Sequence, residues 1–181
     1  MTINPNAVIE ERLAAGFGIE QYANIIWQMP LVNVASDISF QTKFNGYYRV
    51  RRNAEWRRYY YDLFERGKKT QFSFADIITY LYEKTGNIEA SFSGKMFATL
   101  DTDQPIWDQY VLENLGLELI SHGQEKLHNA IALYAQIEQW YQNFLCTQNA
   151  KDCISAFDKA LPSYRWISPT KKIDCFLWGT R

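Results

Sequence analysis

Pro105-Ile106-Trp107-Asp108-Gln109-Tyr110-Val111-Leu112-Glu113-Asn114-Leu115-Gly116-Leu117 spells out a short helix together with both of its ends. Proline suits the first helical position, because its missing N–H would have no partner there, and glycine suits the residue past the end. Pro105 therefore predicts the start and Gly116 the stop. Leu112 and Leu117 are spaced for the apolar contact that accompanies a glycine C-cap. Asp108 is then expected in the first turn, as a carboxylate at the positive end of a helix. Ser91-Phe92-Ser93-Gly94-Lys95 precedes it and brings a lysine into the same part of the chain.

The rest of the chain carries the same signals. Apolar residues recur at three- and four-residue steps, and strand-like alternation with paired turn signals is nearly absent. The fold class expected is all-α, a single compact multi-helix domain over residues 1–181. Short helices are predicted over 7–15 and 17–28, with Pro30 after the second. A third starts at Ser36 or Asp37 and runs towards Gly46. Asn53 caps a helix that Gly67 closes, and Ser73 caps Phe74–Lys84, with Gly86 beyond its end. Ala90–Leu100 is another short helix. The longest runs from Gln124 to Leu145, with Leu127, Ile131, Tyr134, Ile137, Tyr141 and Phe144 on one face. Two more follow over 149–160 and 168–178, and in the last of them Trp178 is expected to anchor in the core.

Composition narrows the classes. At 181 residues, with 47% hydrophobic and 16% aromatic residues, the chain suits one core and excludes a mostly disordered protein. No run of about 18 apolar residues occurs, and the first residues lack the order of a signal peptide. No membrane span and a cytoplasmic location are expected. Cys146, Cys153 and Cys175 lack ligand spacing and are expected as buried thiols. His122 and His128 do not share a helix face and are expected at the surface or in packing. No metal and no cofactor are implied.

Charge is unevenly distributed. The net charge is −1, yet residues 43–72 hold nine Lys/Arg against three acids. A polyanion could bind such a face, and Arg49, Arg51, Arg52, Arg57 and Arg58 are its candidates. Trp56, Tyr48 and Trp107 are candidates to stack on an extruded base. The competing expectation for this stretch is that Trp56 and Tyr60 face the core while the arginines pair with acids or meet solvent.

Taken together, Ser91-Phe92-Ser93-Gly94-Lys95 and Pro105-Ile106-Trp107-Asp108 with Leu115-Gly116-Leu117 resemble the hairpin and aspartate helix of the helix-hairpin-helix DNA glycosylases, the superfamily of endonuclease III and the 8-oxoguanine glycosylases. The resemblance covers about thirty residues. Serines stand where the family has hairpin glycines. Phe44–Arg57 also resembles a bacterial family of uncharacterised function, which implies no activity.

The glycosylase resemblance implies DNA as partner and cleavage of the N-glycosidic bond of a modified or damaged base. It makes Asp108 the catalytic carboxylate, Lys95 a possible lyase nucleophile, and Ser91, Ser93 and Gly94 contacts to the DNA backbone. The chemistry also stands on the residues themselves. A fixed carboxylate stabilises the positive charge that develops on a sugar as its base departs, and a lysine amine made neutral by burial or a nearby cation attacks the anomeric carbon. Asp174 is a weaker second carboxylate. The alternatives are a non-catalytic helical module that binds nucleic acid or protein through the basic 49–58 face, and a protein that self-associates through its charge asymmetry. The oligomeric state is left open.

Overall fold

A computed structural model describes residues 2–12, 18–120 and 123–179. Among them there are ten α-helices and no strand: α1 (Pro5–Arg12), α2 (Ile19–Gln28), α3 (Ile38–Tyr48), α4 (Ala54–Gly67), α5 (Phe74–Thr85), α6 (Ala90–Leu100), α7 (Gln109–Leu115), α8 (Lys126–Leu145), α9 (Gln148–Ala160) and α10 (Pro169–Gly179). The all-α class expected from sequence is the class observed. The expected starts and ends falling on residues 13–17 lie outside the described residues, as does His122. No described helix is long and apolar enough to cross a membrane.

The caps read from sequence are made by the residues named. Asp37 accepts from the Phe40 amide at 2.8 Å, and Asn53 accepts from that of Trp56 at 2.9 Å. Ser73 and Asp76 close a reciprocal capping box, which satisfies two N–H groups that a helix start otherwise leaves unpaired. Gly86 and Gly116 take the left-handed conformation past α5 and α7. At Gly116 its own amide bonds to Glu113 and that of Leu117 to Leu112, the paired pattern that terminates a helix on glycine.

One expected start is displaced. Residues 105–108 are not helical, so Pro105 is not at a first helical position, and Asp108 is the N-cap of α7 rather than a first-turn residue. The cause is tertiary. Tyr134 of α8 donates its hydroxyl to the Pro105 carbonyl at 2.7 Å, and the Ile106 amide donates to the Asp174 carboxylate on α10. Partners outside the segment therefore use the backbone groups that a helical turn would need.

A continuous buried cluster links these helices. Its aromatic centre is Phe40 and Phe44 of α3 against Tyr60, Tyr61 and Phe64 of α4, with ring centroids 5.4–6.0 Å apart across the two helices. A second stack brings together Phe74, Trp107 and Tyr134, their ring planes nearly parallel. Burying rings of this size is the main stabilising term of such a fold. Helix α10 packs on α7, α8 and α9, and α1 lies against α9 and α10.

Candidate functional site

The face of α10 that looks towards α2 and α3 is charged. Lys171, Asp174, Cys175 and Trp178 fall at intervals of three and four, so one helical face carries all four. They line a cavity of about 870 Å3 together with Tyr47, Tyr48 and Arg49 at the end of α3, Lys95 of α6 and Asp108 at the start of α7. Lys95 and Asp108, singled out from sequence, border the same space.

A glycine explains how they come together. A Cβ on Gly94 would sit 2.7 Å from the Trp107 backbone nitrogen, closer than real Cβ atoms approach backbone. Only glycine lets α6 lie against the 105–108 segment. The residues that follow the two contact points are Lys95 and Asp108, so this packing places both on the cavity wall.

Asp108 is oriented by two donors. Its Oδ1 accepts from the Tyr110 amide and from Trp178 Nε1, both at 3.0 Å. Asp108 therefore caps α7, and the indole adds a second constraint. Trp178 is not the core anchor expected: its side chain is exposed at the mouth of the cavity, edge-on to Tyr110. Lys95 Nζ donates to the Tyr48 carbonyl at 3.3 Å and lies 5.2 Å from the centre of the Phe92 ring. Burial lowers its pKa from the ordinary lysine value. Asp108 acts against that and Arg49 with it, and the balance is a lowered pKa.

Deeper in the cavity is a second lysine and carboxylate. Asp174 is buried, accepts a short hydrogen bond from the Tyr141 hydroxyl, and lies 3.9 Å from Lys171 Nζ. Burial pushes its pKa up to about 6, against the pull of Lys171 and of the Tyr141 and Ile106 donors. Burial works against the Lys171 charge, but Tyr47, Cys175 and Asp174 around it outweigh that and hold its pKa above the ordinary lysine value. Its ammonium sits 4.8 Å from the Tyr22 ring centre. Cys175 is a poor nucleophile here, its thiol pushed up to about 11 by burial. Asp174 is the weaker carboxylate candidate in the sequence and Lys171 is no candidate there, although the spacing of 171, 174, 175 and 178 puts them on one helical face.

Several expected contacts are elsewhere. Ser91, Ser93, Gly94 and Lys95 lie inside α6, not in a hairpin, and Ser93 and Gly94 are buried. The Ser93 amide is bonded to the Glu89 carbonyl at 2.8 Å and is not open to a DNA phosphate. Trp107 and Trp56 are core residues, the first stacked on Phe74 and the second on Tyr60, so neither is free to stack on a base. Tyr48 is buried but borders the cavity. Of the five arginines between 49 and 58, only Arg49 lines it. Arg52 is bound 2.8 Å from the buried Glu89, while Arg51 and Arg58 are exposed and Arg57 is half-buried. Cys153 and Cys175 are buried as expected, but Cys146 is exposed. Among the described residues no group of three His, Cys, Asp or Glu side chains is placed to hold a metal ion.

No protein-family model matches the chain, and neither a curated protein nor a solved structure matches it. The site's chemistry therefore rests on its own residues.

Proposed function

We propose that this protein cleaves an N-glycosidic bond in nucleic acid, as the DNA glycosylases it resembles do, with Lys95 and Asp108 as catalytic residues. One observation carries this reading: a lysine of lowered pKa and an oriented aspartate border one cavity, itself large enough for an extruded nucleotide.

The neutral Lys95 amine attacks the anomeric carbon, a new C–N bond forms, and the bond to the base breaks with its electron pair leaving on the base. Asp108 balances the positive charge on the sugar as the base departs and takes the proton that the attacking nitrogen must shed. Ring opening then gives an imine, the species from which strand cleavage follows. If water rather than Lys95 attacks, Asp108 alone suffices for hydrolysis.

Borohydride trapping on duplex DNA with an abasic site tests the assignment. Wild type should form a covalent adduct that Lys95→Ala loses and Asp108→Asn slows. Failure of all variants to form an adduct, with no base released from damaged DNA, would remove the enzyme reading.

The exposure of Arg51 and Arg58 outside the cavity favours a second reading, a non-catalytic nucleic-acid binder. It expects salt-sensitive DNA binding that Lys95→Ala leaves unchanged and an Arg51→Ala/Arg58→Ala double variant loses.

A further inference from the structure

The charges of the cavity do not balance. Among the described residues its wall carries Arg12, Lys43, Arg49, Lys95 and Lys171 against two carboxylates, Asp108 and Asp174, and of the five Arg12 is paired outside the wall, with Glu11 at 3.4 Å. Both carboxylates are already engaged, the first by Tyr110 and Trp178, the second by Tyr141, Ile106 and Lys171. Asp108 faces Lys95 and Asp174 faces Lys171, which leaves Lys43 and Arg49 without a carboxylate among the described residues of the wall.

Two of those cations are placed in ways that packing alone does not explain. Lys171 is buried, and its nearest carboxylate oxygen, at 3.9 Å, is beyond hydrogen-bonding distance. Burial of an ammonium is unfavourable unless a counter-charge and hydrogen-bond acceptors compensate it, and Asp174 does so incompletely. Arg49 is the only non-glycine residue with positive φ among the described residues, at 55°. It occupies the position past α3 where glycine is the ordinary choice, because a Cβ is strained there. A charged side chain is kept at this strained position, on the cavity wall.

We propose that the cavity binds a phosphate ester, with Lys171 as the buried counter-charge and Arg49 as the guanidinium on its wall. Lys171 has the Tyr47 hydroxyl as an acceptor but no anionic oxygen within hydrogen-bonding distance, which a phosphate would supply, and guanidinium is suited to phosphate by its planar fork. The phosphate belongs either to a small sugar phosphate or nucleotide, or to the backbone of a nucleic acid. The proposal rests on the glycosidic reading only for the sugar that the phosphate is attached to. Phosphate binding itself requires no turnover.

Calorimetric titration at low salt with ribose 5-phosphate, with ribose, and with abasic-site duplex DNA tests it. Two variants carry the assignment: Lys171→Met/Asp174→Asn, which leaves the net charge unchanged, and Arg49→Gln. Binding of ribose 5-phosphate but not ribose, weakened tenfold or more in each variant, supports a small phosphate ester. Binding of the DNA alone, weakened by the same variants, supports the proposal with the polymer as source. Equal behaviour of ribose and ribose 5-phosphate without DNA binding overturns it, as does binding that both variants leave unchanged. If the double variant loses its near-ultraviolet circular dichroism, Arg49→Gln at the surface decides alone. Ribose 5-phosphate binding with neither imine trapping nor base release on DNA would overturn the glycosidic reading and leave the phosphate site standing.

Discussion

The arginine-rich stretch 49–58 and the cavity are both basic, and they are built in opposite ways. In the stretch, five arginines follow one another closely along the chain and then disperse in space: Arg52 goes to Glu89, Arg51 and Arg58 to the surface, Arg57 is half-buried on α4, and only Arg49 goes to the cavity. In the cavity, Arg12 of α1, Lys43 and Arg49 of α3 and its end, Lys95 of α6 and Lys171 of α10 meet in one place. Charge density along a sequence is therefore a poor guide to charge density in the fold. Arg49, Arg51 and Arg52 lie in the irregular segment between α3 and α4, and on α4 a rotation of about 100° per residue turns Arg57 and Arg58 to different neighbours.

The comparison can be broken first at Lys171. Lys171→Met leaves Asp174 buried without its counter-charge, a change expected to cost about 3–5 kcal/mol. Adding Asp174→Asn should recover much of that loss. Arg51→Ala, by contrast, should stay within about 0.5 kcal/mol of wild type. Urea unfolding of the variants measures all three, and equal losses at Lys171 and Arg51 would erase the distinction between the two regions. Arg52→Ala comes next. It strips the ion pair from Glu89, but Trp56 Nε1 still donates to that carboxylate at 3.1 Å and Arg52 is partly exposed, so the expected loss is about 1 kcal/mol.

Gly46 sharpens the comparison from the other side. It lies within α3 on the cavity wall, and a Cβ there would meet nothing within 4 Å. Gly46→Ala should stabilise the helix by up to about 1 kcal/mol. Gly46→Phe should fold as well and reduce ligand binding by occupying the cavity, a result that calorimetry and a thermal melt on the same sample would separate.

A further test at Asp174 lies in the pH dependence. Asp174 has a pKa of about 6 in the folded protein, above the roughly 3.9 of an unfolded aspartate. Between those values the native state binds more protons than the unfolded state, so this residue's contribution to stability falls as pH rises from about 4 to about 6. Thermal melts across that window should show the decline in wild type and lose its Asp174 component in Asp174→Asn.

What was legible in the sequence was local. Asp37, Asn53, Ser73, Gly86 and Gly116 each act on backbone groups within a few residues of themselves, so composition at those positions was enough to set the helix ends. The 105–108 segment was not legible, because its conformation depends on Tyr134 and Asp174 from distant helices. Gly94 was misassigned for a related reason: glycine permits close approach, and the sequence does not say whether the approaching group is a phosphate or the Trp107 backbone. Lys171 escaped notice because a lysine in an apolar helix is ordinarily solvated, and only the packing of Tyr22 and Tyr47 around it makes it a buried charge.

The most direct test of the cavity's chemistry is the titration of the Lys95 amine, followed by NMR in protein with isotope-labelled lysine and assigned through Lys95→Arg. Lys95 should titrate below the ordinary lysine value of about 10.4. Asp108→Asn should move it further down, because the aspartate favours the charged form, and Arg49→Gln should move it up. A Lys95 that titrates at or above the ordinary value, unmoved by either variant, would contradict its assignment as the reactive amine of this site.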